Sequence, residues 1–440
     1  MIKKLKQLTQ RKFVRNIAVV ATGTASAQVI AVAFAPVITR LYGPEAFGLL
    51  GAFMAILAVV TPIAALAYPI AIVLPKSDED AKGLAQLSAG LAIGMAILVA
   101  IVLLVTGDWF LELLSLQAIA NFLLLIPLGM VFSAFLQILQ QWLIRKNQFR
   151  ITARITVIQA LTMNTATAGI GLLHPVGAVL IVLATVGNAL HASLLWLGVN
   201  NRSKLRLSKQ WPIDNKGKEQ YLSSIKSLAM RHRDFPIYRA PQDAINAFSQ
   251  SLPILMLASL FGPSAAGFYA LGKTVMGVPS ALIGKSVGDV FYPRITEAAH
   301  NKENLFQLIW KTTFTLAVVG FAPFGLVIAF GPWLFSFTFG SEWATAGEYA
   351  RWLALFFLFN FINKPCVAAV PVLGVQRGLL FYEIFSTGGK ALGLFVGFHW
   401  FGSAVVAIAL FSAIGVIAYS VMILWILWCS KKWNENAEAS

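Results

Sequence analysis

Leu41-Tyr42-Gly43-Pro44-Glu45-Ala46-Phe47-Gly48 returns half a chain later as Leu260-Phe261-Gly262-Pro263-Ser264-Ala265-Ala266-Gly267, at a constant offset of 219 residues. Proline cannot continue a preceding helix and glycine takes the backbone conformations a sharp turn needs, so each copy reads as a tight stop between two helices. One copy alone is ordinary turn chemistry. Two copies, each between the first and second apolar span of its half, imply a duplicated architecture. With six spans per half the copies run in the same membrane sense, the parallel-repeat arrangement that places a substrate path between two helical bundles.

The composition around these turns sets the class. Of the 440 residues, 58% are hydrophobic and only 12% charged, with a mean hydropathy of +0.75. That is outside ordinary soluble usage. Only helices or closed barrels satisfy the backbone inside a bilayer, and the apolar runs here are helix-length rather than alternating. About twelve spans are expected, near 17–38, 49–74, 84–106, 118–140, 151–173, 176–198, 244–262, 266–290, 309–331, 349–373, 380–400 and 402–429. The fold class expected is an all-α membrane protein in two six-helix bundles, 1–198 and 244–440, joined by a basic linker, 199–243. The first span follows a basic leader (Lys3, Lys4, Lys6, Arg11, Lys12, Arg15) but lacks a small-residue cleavage site, so it reads as a membrane anchor and not a removed signal.

Lysine and arginine concentrate on one side. The N-terminus, alternate loops and C-terminal tail hold 28 of the 34, the opposite loops only Arg40, and the other five (Lys273, Lys285, Arg351, Lys364, Lys390) fall within spans. The positive-inside bias therefore places both termini in the cytoplasm of a cell whose inner membrane holds the protein. The net charge of +16 follows from this topology and from attraction to anionic headgroups, so nucleic-acid binding is not needed to explain it. The linker carries ten basic residues and reads first as a solvated connection; a docking segment for anionic lipid or a partner enzyme is the second reading.

Cys366 and Cys429 both lie in or at the end of apolar spans and read as packing residues, with no disulfide or thiolate metal site implied. The five histidines are scattered, and no HExxH, GxSxG or P-loop spacing occurs, so neither an enzyme nor a cofactor is expected.

Phe34-Ala35-Pro36-Val37-Ile38-Thr39-Arg40-Leu41-Tyr42-Gly43-Pro44 resembles the first-loop signature of bacterial polysaccharide-export flippases. Arg233-Asp234-Phe235-Pro236, Phe261-Gly262-Pro263 with Ala266-Gly267-Phe268-Tyr269, Val278-Pro279 and Val290-Phe291-Tyr292-Pro293-Arg294 look like the second-half pattern of the same family. Phe339-Gly340-Ser341-Glu342-Trp343 with Ala346-Gly347 is a third matching block. The resemblance implies the multidrug/oligosaccharidyl-lipid/polysaccharide exporter superfamily, whose members share two six-helix bundles around a central cavity. It further implies a cargo of undecaprenyl-diphosphate-linked oligosaccharide for O-antigen, capsule or exopolysaccharide, with the polymerase and chain-length machinery as partners.

A diphosphate with a sugar head needs a polar, preferably cationic, route between helices. Lys364, Lys285 and Lys390 are the candidate cavity cations, set against the blander readings that Lys285 pairs with Asp289, that Lys390 reaches Glu383, or that each snorkels. Gln242, Asn246, Ser249 and Gln250 make a polar stripe on the seventh span, Ser133, Gln137 and Gln140 another on the fourth, and Arg15, Thr22 and Ser26 mark the matching face of the first. Such stripes either line water or hold helices together. Asp289 and Glu383 are the candidate coupling-ion sites. The rival reading, a cation-coupled multidrug exporter of the same fold, would want an acid within the N-terminal bundle. Every acid of that half maps to a loop or a span end. A membrane polymerase would want a catalytic outer loop, and the longest outer segment, about 332–348, has only Glu342 and Glu348 and no basic residue.

Overall fold

The computed structural model describes residues 2–113, 116–203, 225–280 and 285–439. Among them there is no strand. In chain order the helices are α1 (Ile2–Leu41), α2 (Pro44–Ala64), α3 (Tyr68–Ala71), α4 (Asp78–Leu113), α5 (Leu125–Arg145), α6 (Phe149–Gly171) and α7 (Gly177–Ser203). A short helix α8 (225–231) and a π turn at Phe235–Arg239 lead into α9 (Ala240–Phe261). Then come α10 (Pro263–Pro279), α11 (Lys285–His300), α12 (Leu305–Phe339), α13 (Ala344–Ile362), α14 (Lys364–Leu373), α15 (Gln376–Phe401) and α16 (Ala404–Ala439).

Every expected span overlaps helix among the described residues, with 281–284 of the eighth span outside them, and nine helical stretches among the described residues are long and apolar enough to cross a membrane. The three expected spans outside those nine lie on α6, α10 and α15. Physical causes are visible in each: α6 is threaded with Thr152, Thr156, Gln159, Asn164 and Thr167, α10 has only 17 residues, and α15 carries Glu383 and Lys390. Most of the linker, 204–224, lies outside the described residues.

The chain forms two compact units, Met1–Tyr42 with Leu49–Leu255, and Gly43–Gly48 with Met256–Ser440. In the first unit α1 packs along α6. Gly23 lies so near that a Cβ there would stand 2.5 Å from that of Ala153. At the far end of the same pair the buried Tyr42 donates its hydroxyl to the Thr167 carbonyl at 3.1 Å. Tyr68, Ile72, Leu84, Ile138, Trp142 and Leu195 form a core where α3, α4, α5 and α7 meet. Arg145, at the end of α5, locks the turn before α4. Its guanidinium donates to the carbonyls of Pro75 at 2.6 Å and Ser77 at 3.0 Å and to Asp78 Oδ1 at 3.1 Å, and Lys146 pairs with the other Asp78 oxygen.

In the second unit, residues 43–48 lie against the start of α10. A Cβ on Gly48 would stand 1.7 Å from the Pro263 carbonyl oxygen, and one on Gly267 would stand 1.9 Å from that of Pro44. The two copies of the repeated octapeptide thus touch each other, and reciprocally. Trp343, 1% exposed, takes Phe47 edge-on at 5.1 Å and Phe268 edge-on at 6.0 Å. The Phe339–Trp343 block therefore packs on the first copy and on the residue that follows the second. A second reciprocal crossing joins α12 to α13, where a Cβ on Gly331 would stand 2.6 Å from the Gly347 carbonyl oxygen and one on Gly347 2.4 Å from that of Gly331. Without side chains at these points the backbones approach closely, as in small-residue membrane crossings.

Candidate functional site

The first unit holds the polar stripe of α9. Gln242 and Asn246 are exposed, Ser249 is half-buried, and Gln250 is exposed and donates through Nε2 to Asn246 Oδ1 at 3.2 Å. Three of the four thus present polar groups on an open helix face, and two are joined to each other. On α1 the exposed Thr22 and Ser26 lie one turn apart, with the buried Gly23 turned to α6. Arg15 is on the α1 backbone, and its side chain lies outside the described residues. Gln137 is half-buried on α5, with Ser133 and Gln140 likewise half-buried.

The second unit holds the lysines. Lys390 is half-buried on α15, with its Nζ 5.8 Å from the centre of the Phe356 ring of α13 and its Cδ beside Gly415 of α16. It makes no ion pair with Glu383 among the described residues, and Glu383 is itself exposed. An ammonium at membrane depth costs about 2.5–3.5 kcal/mol. A contact over a phenyl ring returns about 1–2 kcal/mol. Packing on Phe356 therefore does not by itself account for a lysine here.

Lys364 opens α14 immediately after the α13–α14 break at Asn363 and is half-buried. No carboxylate pairs with it among the described residues. Beside it Asn363 is 2% exposed. Its Nδ2 donates to Met422 Sδ at 3.3 Å, while its Oδ1 has no hydrogen-bond partner among the described residues. One turn back, Asn360 Nδ2 donates to the Tyr419 hydroxyl at 2.5 Å, and Tyr419 stacks obliquely on Phe356 at 5.4 Å. The result is a polar ladder between α13 and α16 (Asn360 with Tyr419, Asn363 with Met422), with Lys390 above it and Lys364 at its foot. Lys285 and Asp289 are on the α11 backbone, and their side chains lie outside the described residues.

Sequence reading missed Asn360 and Asn363. The signal was present, since two asparagines three apart in Phe357-Leu358-Phe359-Asn360-Phe361-Ile362-Asn363 share one helical face in an otherwise apolar run. It also missed Arg145, whose five backbone acceptors depend on a turn that no residue pattern specifies.

The long apolar helices define a polytopic helical membrane protein. The family model described as "Polysaccharide biosynthesis protein" matches residues 37–348, most of the chain, and the protein belongs to that family. Among solved structures, the chain is similar to one described as "Lipid II flippase MurJ, inward closed conformation", with 12% identity, coverage of 96% of this chain and 90% of that one, and a TM-score of 0.66. It is also similar to an outward-facing multidrug resistance MATE family transporter of the MOP superfamily, with 14% identity, 97% and 96% coverage and a TM-score of 0.59. A MOP superfamily transporter from Pyrococcus furiosus aligns with 15% identity, 96% coverage of each chain and a TM-score of 0.54. At these identities the likeness establishes the shared fold alone. Among curated proteins none matches the sequence.

Proposed function

We propose that this protein is a flippase that moves undecaprenyl-diphosphate-linked oligosaccharide from the cytoplasmic to the periplasmic leaflet of the inner membrane, by alternating access, with both termini in the cytoplasm. The observation that carries the reading is family membership over residues 37–348, whose description in terms of polysaccharide biosynthesis supports a sugar-bearing cargo. Lys364 and Lys390, two half-buried cations on expected spans with no acid paired to them among the described residues, agree with an anionic head group. In this reading they hold diphosphate or acidic sugar by charge-assisted hydrogen bonds. Gln242, Asn246, Ser249, Gln250, Thr22, Ser26 and Gln137 offer amide and hydroxyl partners to sugar hydroxyls, and Arg15 and Lys285 add positive charge. Asp289 and Glu383 remain the acids through which an ion gradient would couple. The polymer served is O-antigen, capsule or exopolysaccharide, with the polymerase and chain-length machinery downstream.

Deleting the gene tests the proposal. Lipid-linked repeat units are expected to accumulate on the cytoplasmic leaflet while the periplasmic pool falls. A normal periplasmic pool in the deletion strain would move the assignment to drug export.

A further inference from the structure

Arg351 lies on α13, inside a membrane span, and its Nε donates to the backbone carbonyl of Ile328 on α12 at 2.9 Å. Sequence explains why that carbonyl is free. In an α-helix the oxygen of residue 328 accepts from the N–H of residue 332, and residue 332 is Pro332, which has none. Gly331 makes room for the arginine stem, because a Cβ there would stand 2.7 Å from Arg351 Cγ. The guanidinium is thus held by one edge, through Nε.

The other edge is open. Arg351 is exposed, and among the described residues neither of its terminal nitrogens has a hydrogen-bond or ion-pair partner, Glu348 one turn back included. Trp352 follows it on α13, and on α12 the aromatic side chains Phe330, Trp333 and Phe337 are exposed, with Trp333 and Phe337 stacked at 5.5 Å. The expected spans end at 331 on α12 and begin at 349 on α13, so at roughly 1.5 Å per residue both the Ile328 carbonyl and Arg351 lie within about 5 Å of a span edge. Lipid is what large exposed aromatic side chains on a membrane span meet, and lipid is in vast excess over any other anion there.

We infer that Arg351, oriented by the carbonyl that Pro332 frees, is a binding site for the phosphodiester of an anionic phospholipid in the leaflet that holds the α12–α13 turn. The planar fork of the two terminal nitrogens matches two phosphate oxygens. The inference is independent of the transported cargo.

The test uses the purified full-length protein and a phosphatidylglycerol carrying a photoactivatable diazirine near its headgroup, with crosslinks mapped to residues 328–355. Competition by unlabelled phosphatidylglycerol, but not by phosphatidylcholine or inorganic phosphate, is expected. Arg351→Gln alone leaves the Ile328 carbonyl without a partner, so it is combined with Pro332→Ala, which restores the helix's own N–H donor. This double variant is expected to keep its thermal midpoint and to lose labelling by about tenfold, the scale of one charge-assisted hydrogen bond. Unchanged labelling in the folded double variant would assign Arg351 to helix pairing alone and overturn the site. Equal competition by phosphatidylcholine in the wild type would overturn it even if the double variant did not fold, and competition by inorganic phosphate would show a free-anion site in place of a lipid one.

Discussion

A side chain on Gly48 would put its Cβ 1.7 Å from the carbonyl oxygen of Pro263, and the symmetry-like partner contact, Gly267 on Pro44, is as tight at 1.9 Å. The glycine that ends the first copy of the repeated octapeptide lies on the proline of the second, and the reverse also holds. The repeat is therefore a mutual helix crossing as well as a turn signal, which explains why Gly closes both copies while the residue after proline varies from Glu45 to Ser264.

Gly48→Ala is expected to destabilise the protein by about 1–3 kcal/mol, the range for overpacking a close contact, because the obstacle is backbone and cannot rotate away. Gly90→Ala serves as the counter-case. Nothing lies within 4 Å of a Cβ at Gly90 on α4, so alanine there should be neutral or gain up to about 1 kcal/mol of helix propensity. Thermal midpoints of the two purified variants check the opposite signs; equal midpoints would mean that the Gly48 crossing relaxes freely.

Arg145→Lys is expected to cost about 2–3 kcal/mol, since a single ammonium cannot replace a fork that serves several carbonyls of the α3–α4 turn, and the unserved acceptors of this nearly buried group lose their partners. Asp78→Asn should cost less, because Asp78 is half exposed and the carbonyl bonds persist. Denaturation of both variants in the same detergent orders them, and a larger loss for Asp78→Asn would contradict the account.

Arg294 grips Glu303 with two bonds, at 3.0 and 2.6 Å, beyond the apolar spans, and the guanidinium holds the Glu303 carboxyl below the usual carboxylate range. A depressed folded-state value means the pair stabilises above the ordinary carboxylate pKa and is lost as pH falls through the lowered value. Both groups are exposed, so the effect is small and salt-sensitive. Glu303→Gln should flatten that part of the acid-side decline in thermal midpoint between neutral pH and about pH 3. Identical pH profiles for wild type and variant would show that the pair does not hold in solution.

Lys364→Ala is expected to lower surface polysaccharide several-fold at unchanged protein level, while Lys390→Met keeps the packing on Phe356 and Gly415 and separates charge from shape. Surface polymer at wild-type level in both variants would remove these lysines from the transport path. In the first unit, a cysteine replacing the exposed Asn246 should be labelled by a water-soluble maleimide if the α9 stripe faces water, and complete protection would assign the stripe to helix pairing.

Much of the fold was legible because apolar run length and Gly-Pro punctuation report directly on helices and their ends. Span boundaries were less so: 349–373 reads as one run, yet the helix breaks at Asn363, where Pro365 follows one residue into α14. The candidate site was legible by residue type and not by partner. Lysine in an apolar run is conspicuous, but that Lys390 would lie over Phe356 and not beside Glu383 depends on helix rotation, which period alone leaves open. The Asn360–Tyr419 bond joins residues 59 apart in sequence and was out of reach for the same reason. Arg351 was visible only as a charge in a span; its purpose required knowing that the α12 backbone at Pro332 lies alongside it.

The transport claim meets its most direct test in vesicles containing only the purified protein and polyprenyl-diphosphate-linked oligosaccharide, with the head group in each leaflet counted by a membrane-impermeant glycosidase. The account predicts protein-dependent equilibration of the lipid-linked sugar between leaflets, reduced by Lys364→Ala, with no movement of a cationic dye. Sugar that stays in its starting leaflet while the dye crosses would contradict it.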